Sequence, residues 1–138
     1  MIIESIIERN VATIDEGSTV LDAARLMTSK YIGSVIVSGR MGVTGLFTER
    51  DLMMLVVGEG KDPAKVLLSD VVVENFVKVT PQDSGSTCLD LMKEHRCRHL
   101  LVFDGEDFIG IVSLRDMVAL LMEEKEHLIV SLNEYISA

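Results

Sequence analysis

Basic residues are scarce in this chain. Thirteen Lys and Arg stand against 22 Asp and Glu, a net charge of −9. The overall field therefore repels nucleic-acid backbones and anionic membranes, and any bound anion needs a local positive patch. Cysteine occurs twice, at Cys88 and Cys97, without CxxC spacing. That argues against a disulfide or zinc framework and for a reducing, cytoplasmic setting. Long apolar runs are missing as well. Stretches such as Leu52–Val57 fall far short of the roughly 20 residues a membrane span needs, and Glu4 and Glu8 stand where a secretion signal would carry a basic flank. No Walker or Rossmann glycine pattern and no matched Ser-His or Cys-His pairing is present, so the usual sequence signs of an enzyme are lacking.

What the sequence does contain is an internal repeat. Residues 13–53 fall without a gap on residues 78–118, and the identities are Leu26/Leu91, Met27/Met92, Val37/Val102, Gly45/Gly110, Arg50/Arg115 and Asp51/Asp116. Aliphatic positions pair with aliphatic positions in between, and Thr48 pairs with Ser113. Such periodicity has to be read before any local feature. With 48% apolar residues in 138, the chain buries about two-thirds of its unfolded surface in one compact body.

Each copy reads as β-α-β-β-α. In the first, Ala12–Ile14 is an extended segment, Ser18 or Thr19 caps a helix running to about Lys30, and Leu21, Ala24 and Met27 recur at helical spacing. Ser34–Val37 and Val43–Phe47 are strands joined by a Gly-rich turn. In the second copy the corresponding pieces are Val77–Val79, a helix capped by Ser84 with Leu89 and Met92 on its buried face, and the strands Leu100–Phe103 and Phe108–Val112. A helix follows Thr48 and another follows Ser113. The linker-like stretch Gly58–Pro63 places the copies at 1–62 and 63–126, and 127–138 is a tail in which Leu128–Ile136 form a last amphipathic helix. The methionines, Met27, Met53, Met92 and Met117 among them, read as core packing.

The chemistry concentrates at the two strand-to-helix joins. In Thr48-Glu49-Arg50-Asp51 and Ser113-Leu114-Arg115-Asp116, a hydroxyl, the free N–H groups of a first helical turn and a carboxylate three residues on gather at one helix start. One reading is a capping box that stabilises the helix by about 1 kcal/mol and needs no ligand. The other is a nucleotide site, since a carboxylate suits the vicinal hydroxyls of a ribose while helix N–H groups and Arg suit phosphate. The repetition, the preceding Gly45 and Gly110, which let another group approach closely, and the adjacent arginines favour the second.

The spacing Gly-apolar-apolar-(Ser/Thr)-x-x-Asp, twice, each behind a strand-helix-strand-strand unit, resembles the tandem CBS-domain pair, the regulatory module named after cystathionine beta-synthase. Tyr31–Val37 with Phe47–Leu52, and Arg98–Val102 with Val112–Asp116, carry the resemblance, which covers the chain from about Ile3 to Glu126. It implies an α/β (α+β) fold of two pseudo-twofold-related units packed through their sheets. It further implies clefts that bind AMP, ADP, ATP, NAD or S-adenosylmethionine. The ribose carboxylates would be Asp51 and Asp116, with hydroxyls Thr48 and Ser113 and neighbouring Arg50 and Arg115. Adenine would lie at Gly33 and Ser34 facing Ser69–Val73 in one cleft, and at Arg98 and His99 facing Glu4–Arg9 in the other. The first copy departs from the family in having Glu16-Gly17 where the second keeps Pro81, and the second in starting its helix with Gly85-Ser86-Thr87.

His95-Arg96-Cys97-Arg98-His99 is the densest basic segment. His95, Cys97 and His99 are metal-competent side chains, but no metal is assigned to them. A solvated helix end is one account; Arg98 or His99 closing over a phosphate is the other, with pH sensitivity near neutrality. Cys88 reads as a small buried hydrophobe and Cys97 as nearer the surface. The functional expectation is a regulatory sensor that reports ligand occupancy to an unidentified effector protein, with a ligand-free dimerisation scaffold as the alternative. A homodimer is expected through Leu52–Val57 and Met117–Met122, which hold more apolar surface than one sheet covers.

Overall fold

The computed structural model describes residues 1–72 and 76–137. The chain forms two compact units, one of Val11–Phe76 and one of Met1–Asn10 with Val77–Ala138. The first unit contains β1 (Thr13–Asp15), α1 (Val20–Lys30), β2 (Ser34–Gly39), β3 (Gly42–Thr48), α2 (Glu49–Asp51) and, further on, α3 (Leu68–Val71). The second contains β4 (Lys78–Val79), α4 (Gly85–His95), β5 (His99–Asp104), β6 (Asp107–Ser113) and α5 (Leu114–Ser137). In each unit the first strand pairs parallel with the second and the second antiparallel with the third. A parallel pair needs a crossover, which α1 and α4 supply.

The repeat extends to fine detail. Both hairpins carry a register shift at matched positions, Val37/Ser38 and Val102/Phe103. Both crossover helices end on a left-handed non-glycine residue, Tyr31 at φ 53° and Arg96 at φ 52°. α1 opens with a full capping box, in which the Asp22 N–H donates to Thr19 Oγ1 and the Thr19 N–H to Asp22 Oδ2. α4 is capped by Ser84. The core of the first unit is Val20, Ala23, Met27, Val35, Val37 and Phe47 with Val56, Leu68 and Val72. That of the second is Ile3, Val79, Cys88, Met92, Leu100 and Val102 with Val112, Met117 and Leu120. The buried face of α1 thus runs through Val20, Ala23 and Met27, one step from the expected stripe of Leu21, Ala24 and Met27.

Each leading segment docks on the body of the other copy. Ile2 bridges Ser84 in the second unit and Leu67 bridges Thr19 in the first. Ile3 N–H donates to the Asp83 carbonyl, and Leu68 N–H to that of Ser18. Ile3 and Leu68 are fully buried there, so two apolar side chains anchor the exchange.

Three further findings differ from the sequence expectation. Beyond Asp51 the helix widens into a π-turn over Leu52–Val57. Gly58 closes it with an N–H bond to the Met53 carbonyl at 2.7 Å, and a Cβ on Gly58 would fall 2.8 Å from that oxygen. Met53 is 59% exposed, so it is not a core residue. Finally, no break separates a last helix: α5 runs unbroken for 24 residues, because nothing between Glu123 and His127 interrupts helical backbone. The unusual start of α4 has a packing reason. A Cβ on Gly85 would meet Met117 Cε at 3.2 Å and Leu120 Cδ2 at 3.3 Å, so glycine lets α5 cross closely.

Candidate functional site

In the first unit the β2–β3 register sets Ser34 opposite Thr48. Glu49 N–H donates to the Gly33 carbonyl at 3.0 Å, tying the start of α2 to the residue before β2. Gly33, Ser34, Thr48 and Asp51 therefore come together. Thr48 is extended (φ −117°, ψ 163°) and caps the helix: Asp51 N–H donates to Thr48 Oγ1 at 3.1 Å and Thr48 N–H to Asp51 Oδ2 at 3.0 Å. The half-buried carboxylate keeps Oδ1 without a hydrogen bond among the described residues. Arg50 is exposed and turned along its own helix, with Nε donating to Met54 Sδ at 3.3 Å. A side chain that the sequence reading passed over, Glu49, stands at this cluster, its carboxyl 3.2 Å from where a Gly33 Cβ would be. Its signal was the repeat itself, which sets Glu49 against Leu114.

The second unit repeats the frame. His99 is registered with Ser113, and Leu114 N–H donates to the Arg98 carbonyl at 2.8 Å. Asp116 N–H donates to Ser113 Oγ at 3.1 Å, but here the hydroxyl itself donates to Asp116 Oδ2 at 2.8 Å. Ser113, Asp116 and His99 are half-buried; Arg98 and Arg115 are exposed. Burial pushes the His99 imidazole below its usual range; the Asp116 charge opposes this and the Arg98 charge adds to it. With His99 neutral, this cluster carries one net positive charge, whereas Glu49, Arg50 and Asp51 leave the first with one net negative charge.

The leading segments lie beside these clusters in specific ways. Glu8 forms an antiparallel bridge with Ile111, each N–H donating to the other's carbonyl at 2.9 and 3.0 Å. Ile111 pairs with Leu101 on its other side, so β6 stands between Glu8 and the β5 strand that begins at His99. A Cβ on Gly110 would collide with the Glu8 carbonyl oxygen, so the group that this glycine admits is the chain's own backbone. In the first unit, Ser69 N–H donates to the Glu16 carbonyl at 2.9 Å and Val72 is buried in the core; Val73 lies outside the described residues. His95 is exposed at the end of α4, and among the described residues no three His, Cys, Asp or Glu side chains assemble in a way able to hold a metal ion. Burial pushes the Cys88 thiol up to about 11 and raises that of Cys97, which disfavours thiolate at both. Among the described residues no helix is long and apolar enough to cross a membrane.

Residues 3–58 and 68–123 each match the CBS domain family, and the chain belongs to it as a tandem pair. A CBS domain-containing protein of Arabidopsis thaliana, CBSX3, mitochondrial, is 29% identical over 123 residues, covering 86% of this chain and 60% of that protein. Arabinose 5-phosphate isomerase KdsD of Yersinia pestis is 30% identical over 109 residues, 78% of this chain but 33% of the isomerase. A putative signal-transduction protein with CBS domains from Burkholderia ambifaria superposes with a TM-score of 0.78 at 33% identity, covering 83% of this chain and 85% of that one. The matched portion recurs in proteins of quite different length, as expected of a module.

Proposed function

We propose that the chain is a cytoplasmic regulatory module, not an enzyme, that binds adenosine-containing ligands (AMP, ADP, ATP, NAD or S-adenosylmethionine) and signals occupancy to an effector protein. The observation that carries the reading is the duplicated pair Thr48/Asp51 and Ser113/Asp116: each carboxylate keeps Oδ1 uncommitted at a helix start. Each is thus able to accept ribose hydroxyl hydrogen bonds without losing its cap. The two sites differ in charge. Arg98, His99 and Arg115 beside Asp116 suit a phosphate tail, whereas Glu49 beside Asp51 disfavours one and tolerates an uncharged or cationic adenosyl group. In this reading the chain is a homodimer, joined through Leu52–Val57 and the first turns of α5. Met53, Met54, Leu55 and Val57 are exposed on one, Val118 and Met122 on the other.

One observation favours a ligand-free dimerisation scaffold instead: the capping bonds already give each Asp a structural role. Calorimetric titration with AMP, ATP, NAD and S-adenosylmethionine separates the two. The sensor reading expects saturable binding of at least one, and the scaffold reading expects none.

A further inference from the structure

α5 outruns the unit it belongs to. Its buried residues are Met117 and Leu120, and from Lys125 to Ser137 every residue is exposed. That free half is nevertheless patterned. Val118, Leu121, Leu128, Leu132 and Tyr135 occupy alternating three- and four-residue steps, with Lys125 filling the remaining position, and Ile129 and Ile136 widen the stripe. Leu128 is 60% exposed, Leu132 50% and Ile136 78%. Helical segments of this length are marginal in water on their own, and an apolar stripe on one of them asks for a partner.

We propose that the partner is α5 of a second copy of this chain, packed antiparallel about a point between Glu126 and His127. Charge decides the orientation. A parallel, in-register pair would stack Glu123, Glu124 and Glu126 on their own counterparts, whereas the antiparallel pair sets Glu123 and Glu124 against Val130 and Ile129 and Glu126 against His127. The helix dipoles also oppose one another in that arrangement. A self-complementary stripe closes on itself under twofold symmetry. The antiparallel crossing brings Val118 to Tyr135 and Leu121 to Leu132, apolar against apolar, with Lys125 beside Leu128, over about two and a half heptads. Area decides what the pair adds. A stable interface asks for about 800 Å² and 20–30 residues from each partner, more than this stripe alone presents. Val118 and Met122 also belong to the dimer surface proposed above, so the tail pair continues that surface, and the inference rests on the homodimer part of that reading.

Cross-linking and mass measurement on the full chain test it, in a Cys97→Ser background. About the axis between Glu126 and His127, two copies of position 128 are offset by about 4.5 Å along the helices and two copies of position 135 by about 26 Å. Leu128→Cys should therefore form a covalent dimer under mild oxidation while Tyr135→Cys does not, and Leu132→Glu should weaken dimerisation roughly tenfold by light scattering. Equal cross-linking at 128 and 135, or unchanged dimer affinity in Leu132→Glu, overturns the antiparallel pair. Met54→Glu separates the two levels. A wild-type dimer that Met54→Glu splits but Leu132→Glu does not leaves the homodimer standing without the tail pair. A wild-type monomer, including one whose tail folds back on its own chain, overturns both.

Discussion

Ser113 and Asp116 hold each other from both sides: the Asp116 N–H reaches Ser113 Oγ at 3.1 Å while that hydroxyl donates to Asp116 Oδ2 at 2.8 Å. Thr48 and Asp51 close the same ring differently, with the backbone N–H of Thr48 as the second donor. The Thr48 hydroxyl proton therefore stays available, whereas that of Ser113 is committed to its carboxylate. Two copies of one motif thus present different chemistry.

Cap and ligand contributions separate by mutation. Ser113→Ala removes a cap and should lower stability by about 1 kcal/mol without ligand. Asp116→Ala should, in addition, weaken the nucleotide held at the second site at least about tenfold, since a hydrogen bond to a charged group contributes roughly 1.5–3 kcal/mol. Melting in the presence and absence of ligand distinguishes them; equal ligand-induced shifts in Asp116→Ala and wild type would contradict the assignment.

Glycine 85 offers a test of packing alone. Gly85→Val adds methyl groups where Met117 and Leu120 already stand at 3.2 and 3.3 Å from a Cβ position, so overpacking should cost about 1–3 kcal/mol. Denaturant melting that shows no loss would mean α5 shifts freely over α4.

Gly110→Ala acts on the leading segment. Its Cβ collides with the Glu8 carbonyl oxygen, so the Glu8–Ile111 bridge should open. Hydrogen exchange at the Glu8 and Ile111 amides, whose bonds are 2.9 and 3.0 Å, should quicken by at least about tenfold. Unchanged protection would show that the segment docks elsewhere.

His99 predicts a pH dependence. Its folded-state pKa is depressed, mainly by burial, so the unfolded chain binds the proton more readily. The neutral imidazole's contribution to stability is complete above the unfolded value near 6.5 and declines as pH falls through that value toward the folded one. Thermal midpoints should drop between pH 7.5 and 5 in wild type and drop less in His99→Asn. Parallel profiles would remove His99 from the account.

The fold was legible because a repeat constrains each copy twice. Thr19, Ser84, the paired hairpins and the strand-to-helix hydroxyls all fall where the 13–53 and 78–118 alignment put them. The leader exchange was legible only through the family resemblance, which faces Ser69–Val73 with the first copy and Glu4–Arg9 with the second, since local pattern says that Ile3 and Leu68 are apolar but not which body buries them. Carrying the same offset upstream does place Ile2-Ile3 on Leu67-Leu68, matching the Ile2–Ser84 and Thr19–Leu67 bridges. The π-turn escaped because Leu52–Val57 is apolar at every position and gives no phase. Glu49 was passed over because charge beside a capping residue reads as ordinary helix chemistry until Gly33 is seen against it.

Ligand recognition by two unequal carboxylate sites stands or falls on calorimetric titration of ATP and S-adenosylmethionine into wild type, Asp51→Ala and Asp116→Ala. Asp116→Ala is expected to abolish ATP binding or weaken it at least about tenfold while Asp51→Ala leaves it nearly unchanged, and any S-adenosylmethionine binding is expected to follow Asp51. Identical isotherms for all three proteins, or no heat with any adenosyl ligand, would contradict it.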